Sequence, residues 1–280
     1  MFTKLKSPTR QVLAVALLLG SAASAQAALV NVRVSFTNVA PANGIAFAPL
    51  HVGFGQGLFD SFNIGTTPTA PIISVAEGGS GTSWQPAFMA AEPLATRGTV
   101  GAGGPVLAGV TRTLDLVVNT AVNRFFTFGS MVIPSNDHFI GNDNPMEYQV
   151  FDAAGNLLIT QMSQAADEIW DAGSETTDPS AAAFVGNNDL RTPQNGVVSF
   201  NFSELSANNG LTTGAGYVFT NNIAANTEIF RVGFRVLNSN VPEPTSAALV
   251  VLALGALGAS RHTVRRARTT AAAAGRAAVL

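Results

Sequence analysis

Cysteine is absent from this chain, and lysine occurs only at positions 4 and 6. The first absence excludes disulfides and thiolate metal sites, and the second removes Schiff-base chemistry from the body of the protein. Histidine is limited to His51, His138 and His262, and two Trp and two Tyr leave little aromatic surface to stack on sugars. No serine stands in a Gly-x-Ser-x-Gly elbow, and no glycine-rich loop ends in the Lys-Ser/Thr of a phosphate-binding motif. Paired carboxylates could still serve a glycosidase, so a secreted carbohydrate-active hydrolase stays open as the alternative to a non-enzymatic protein.

Positive charge is the other scarcity. Residues 28–240 hold seven Arg and no Lys against sixteen Asp plus Glu, a net charge of −9, although the whole chain carries only −2. Such a surface does not suit a phosphate backbone, so no nucleic acid is expected as a partner. It suits a cation or a basic protein surface.

The two ends carry the basic residues. Residues 1–27 begin with Lys4, Lys6 and Arg10, continue with an apolar run from Val12 to Leu19, and finish in small residues around Ala25-Gln26-Ala27. This is the pattern of a secretory signal peptide; the apolar run falls short of the about 20 residues a membrane helix needs. At the other end, Val241-Pro242-Glu243-Pro244 precedes an apolar stretch from Ala247 to Ala259, then Arg261, Arg265, Arg266 and Arg268. A short hydrophobic helix with basic residues behind it fits transient membrane anchoring with the tail left inside.

That order of Pro-Glu-Pro box, hydrophobic helix and arginine cluster over 241–268 resembles the PEP-CTERM sorting signal of Gram-negative bacteria. An alanine-rich tail, 269–280, follows it. The resemblance implies handling by an exosortase and delivery to the cell surface or exopolysaccharide layer.

Between the ends, 28–240 reads as one domain. Alternating runs rich in Val, Phe and Thr mark strands at 30–36, 114–118, 125–133, 148–152, 157–160, 197–202 and 230–236. Asp152-Ala-Ala-Gly-Asn156 reads as a hairpin turn, and short helices are expected over 86–92 and 161–169. The pattern predicts an all-β, antiparallel β-sandwich. Acidic residues gather in its connections: Glu77, Asp137, Asp143, Asp171 and Glu175. Asp143, Asp178 and Asp189 read as ordinary turn residues.

The boxes AEGG (76–79), SMVIPSNDHFIG (130–141) and WDAGSE (170–175), with Asn38-Val39-Ala40-Pro41 through Phe47-Ala48-Pro49-Leu50 before them, resemble the spondin N-terminal domain of F-spondin and mindin. The resemblance spans about residues 30–236. It implies an antiparallel sandwich related to the calcium/lipid-binding sandwiches, with calcium held by Glu77, Asp137 and Asp171. Backbone carbonyls and water would complete the shell. Phe139 and Trp170 are then core anchors, and His138 fills a variable position and is not assigned as a ligand. Gly78 stands where the family box has a second acid. The function so implied is that of an exported calcium-binding adhesion or matrix protein, not an enzyme. Its partner would be extracellular polysaccharide or a surface protein. A purely structural matrix component is the third reading.

Overall fold

The computed structural model describes residues 29–240; the expected signal peptide and sorting tail lie outside the described residues. The strands run, in chain order, β1 (Leu29–Asn38), β2 (Ala46–Phe47), β3 (Leu50–Gly55), β4 (Thr96–Val100), β5 (Thr111–Asn119), β6 (Phe125–Ile133), β7 (His138–Gly141), β8 (Tyr148–Gln149), β9 (Gln161–Ala165), β10 (Trp170–Asp171), β11 (Ser199–Phe200) and β12 (Glu228–Asn240). Two helices, α1 (Ala70–Gly78) and α2 (Trp84–Ala91), lie between β3 and β4. One sheet has the order β5-β1-β12-β9; the other runs β11-β10-β7-β6-β3-β4, with β2 and β8 also pairing with β6. The named strand pairs are antiparallel. The expected all-β sandwich is the observed fold.

The alternation of β1 explains its place. Val30, Val32, Val34 and Phe36 are buried while the residues between them are half-exposed, so one face meets the core and the other meets water. Phenylalanines from the two sheets interlock edge to face: Phe36 with Phe47 at 5.3 Å, and Phe126 with Phe234 at 4.9 Å between centroids. Strand β6 differs because all nine of its residues are buried. Its second face is covered by a separate cluster of Phe62, Ile72, Val75, Trp84, Phe88, Phe139 and Trp170, contributed mainly by both helices and by β7 and β10.

Four local expectations change. Residues 161–169 form no α-helix: Gln161–Ala165 adds to β12 as strand β9, pairing Met162 with Val232 and Gln164 with Phe230, and only Ala166–Glu168 makes a 3-10 turn. The expected strand at 197–202 shrinks to β11, and Phe202–Asn208 is a 3-10 helix. The Asp152–Asn156 turn forms, but the pairing beside it is a single bridge between Phe151 and Leu157 rather than two long strands. Finally, Glu77 lies in the last turn of α1 and not in a loop. Thr69 caps that helix by accepting from the Ile72 N–H, Pro71 sits in its first turn, and Gly79 ends it at φ +60°.

Candidate metal centre

The site begins with a two-residue pairing. Strands β7 and β10 set Phe139 opposite Trp170 and His138 opposite Asp171. Residues paired across antiparallel strands share a face. Phe139 and Trp170 are both buried and both pack on Phe62, at 4.9 and 5.0 Å between centroids, which makes them the core anchors expected of them. His138 and Asp171, on the other face, are neighbours. The Asp137 carbonyl accepts from the Ala172 N–H at 3.1 Å, so the pairing continues one residue beyond the strands.

Asp137 is 1% exposed. Its Oδ2 accepts from the Ser174 N–H at 2.7 Å, the Ser174 hydroxyl at 3.1 Å and the Glu175 N–H at 2.9 Å. The Asp-Ala-Gly-Ser-Glu segment is thus a turn wrapped around the Asp137 carboxylate. Gly173 makes the turn at φ +66°, where an added Cβ would stand 2.7 Å from the Val197 carbonyl oxygen. Asp171 Oδ1 accepts the Gly173 N–H at 2.7 Å and so braces the same turn. Burial, followed by the charge of Asp171, raises the pKa of Asp137 above the ordinary aspartate value despite these donors.

A second acidic pair lies next to the first. Arg191 bridges it: Nη1 stands 3.4 Å from Glu77 Oε2, Nη2 donates to the Glu77 carbonyl at 3.0 Å, and Nε lies 3.2 Å from Glu175 Oε1. Glu175 is 4% exposed, and its Oε2 is buried with no donor beside it. Burial first, and then the charge of Glu77, push the Glu175 pKa up to about 7 although Arg191 opposes them; the closeness of the Glu77 side chain and the charge of Asp137 add to the rise. Burial alone does not leave a carboxylate unmet. Glu92 is 2% exposed, but it accepts from the Leu58 and Phe59 N–H groups at 2.7 and 2.9 Å and also from that of Gln56. Glu92 is a structural acid; Glu175 has Arg191 beside Oε1 and no partner at Oε2.

Of the three acids expected to share one ion, only Asp137 and Asp171 interact directly; Glu77 is set against Glu175 instead, and the three do not gather as a group within 4.8 Å. Glu175 links the two pairs through its repulsion with both Glu77 and Asp137. Among the described residues, the three side chains that bring one ligand atom each to within 4.8 Å of the others are His138, Asp171 and Glu204. Glu204 stands on the 3-10 helix Phe202–Asn208, and no local motif ties it to residues 138 and 171. Asp178 behaves as a turn residue, its Oδ1 accepting from the Ser180 N–H and hydroxyl at 2.8 and 2.7 Å.

A cavity of about 460 Å³ opens beside Glu77 and is walled mainly by apolar groups of Ala48, Pro49, Met131, Ile133, Ala183 and Phe184. Such a wall offers few partners to a polyhydroxylated chain. No family model matches this chain, and no curated protein matches it.

Proposed function

We propose that the protein is an exported calcium-binding adhesion or matrix protein of the spondin type, without catalytic activity, held at the cell surface or in the exopolysaccharide layer. Its partner would be extracellular polysaccharide or a surface protein, after exosortase processing and transient anchoring through the C-terminal helix. The observation that carries the calcium reading is Glu175: a buried carboxylate with one orphaned oxygen, set between Glu77 and Asp137 with a single arginine against them. The donors here are all hard oxygens, the chemistry calcium takes. Glu77, Asp137 and Asp171 would hold the ion, and Glu175 adds a fourth carboxylate. Export and adhesion rest on the signal-like ends, the acidic body and the four spondin-like boxes.

The test is thermal unfolding of the purified chain with calcium or chelator. Calcium at about one hundred times its Kd contributes about 2.7 kcal/mol, a rise in Tm of roughly 5–10 °C for a domain of this size. Asp137→Ala should abolish the rise. Calcium should also be needed for retention on extracellular polysaccharide. A wild-type melting curve indifferent to calcium and chelator sinks the metal assignment.

A further inference from the structure

His138, Asp171 and Glu204 form a cluster of a different chemical kind, because one of its donors is nitrogen. The body of the protein has two histidines, and they contrast. His51 has both ring nitrogens occupied, Nδ1 with the Thr99 hydroxyl at 3.1 Å and Nε2 with the Gly79 carbonyl at 3.0 Å. His138 is 2% exposed and has only one nitrogen occupied: Nε2 lies 2.9 Å from the Asn201 carbonyl oxygen. A carbonyl can only accept, so Nε2 carries a proton, and in the neutral ring Nδ1 keeps its lone pair. Nδ1 is buried with no hydrogen-bond partner. A buried acceptor without a partner loses its hydration for nothing in return, so it calls for a ligand.

We propose that His138, Asp171 and Glu204 bind a divalent transition metal of the zinc type, at a second site that borders the calcium-type carboxylates and has only Asp171 in common with them. One imidazole with two carboxylates is a donor set for such an ion, which leaves a fourth position for water. The two carboxylates balance its charge. Donors about 2.0–2.2 Å from zinc stand roughly 3–4 Å apart, so the present spread of up to 4.8 Å closes with small side-chain movements. The surrounding groups hold the donors in place. Asn201 grips two of them, accepting from His138 through its carbonyl and donating to Asp171 Oδ2 through its amide at 3.3 Å. The Thr177 hydroxyl donates to Glu204 Oε2. Partners that fix both ring and carboxylate are the outer shell a metal site requires.

Zinc titration of the purified full chain by calorimetry, in excess calcium, tests this. The wild type should bind about one zinc per chain. Glu204→Gln, at a half-buried position that tolerates the change, should weaken zinc at least about tenfold, as should His138→Gln, while both keep the calcium-dependent rise in Tm. Asp137→Asn should lose the calcium response and keep zinc. Three results would overturn the proposal: no zinc bound by the wild type, zinc affinity unchanged in Glu204→Gln, or calcium displacing zinc one for one. A wild type that binds zinc but ignores calcium would count against the calcium reading alone.

Discussion

The outer face of the four-stranded sheet and the turn around Asp137 handle charge in opposite ways. On the sheet, two acids each have their own base in water: Arg33 grips Asp115 through two bonds of 2.7 and 2.8 Å, and Arg231 pairs with Glu228 three residues earlier. Around Asp137 the acids come from separate segments, are mostly buried, and share one arginine. An exposed pair contributes little because water already solvates both charges. A buried carboxylate without a full set of partners keeps an unmet demand. The same residue types are satisfied where water completes them and left short of partners where it cannot.

The largest test of this comparison removes the frame that the buried region hangs on. Phe126→Ala, at the contact between the two sheets, should lower unfolding stability by about 3–5 kcal/mol, read from denaturant midpoints, and should weaken metal binding with it.

A smaller effect should come from pH. In chelator, the folded-state pKa of Glu175, about 7, lies above its ordinary value of 4.5, and that of Asp137 is also raised. The folded protein therefore holds these protons more tightly than the unfolded chain. The stabilising contribution of Glu175 is complete below about 4.5 and is lost as pH rises through about 7, and that of Asp137 runs in the same direction. Metal-free protein should melt higher at pH 5 than at pH 7.5, and calcium should remove most of that difference. A metal-free melting temperature that climbs over this interval would show that the buried acids are compensated.

The smallest effect belongs to the exposed sheet. Arg33→Ala should leave the denaturation midpoint and the calcium response nearly unchanged. A large loss would mean that the outer face contributes as the buried site does.

Strands β1 and β6 were legible because alternation or continuous apolar character over nine or ten residues shows which faces meet the core. Helix α1 was not. Its Ile72, Ile73 and Val75 are β-branched and read as strand formers, and its real signals, Thr69 as cap with Pro71 in the first turn, are brief. Residues 161–165 were read with the wrong period because the exposed edge of β12 decides their state.

By itself, the sequence determined the sandwich, through alternation and turn residues, and the chemistry open to the body, through its missing cysteine and lysine. It also marked Glu77, Asp137, Asp143, Asp171 and Glu175 as acids in connections, and the spondin-like boxes singled out Glu77, Asp137 and Asp171. Only the tertiary structure decided which acids face each other. The pairing of β7 with β10 put His138 beside Asp171, and a 3-10 helix about thirty residues further along brought Glu204 to them. Whether a buried acid finds donors, as Glu92 does, or lacks them, as Glu175 does, depends on backbone N–H groups contributed from distant turns. Side-chain demand is written locally, but its satisfaction is a property of the folded chain.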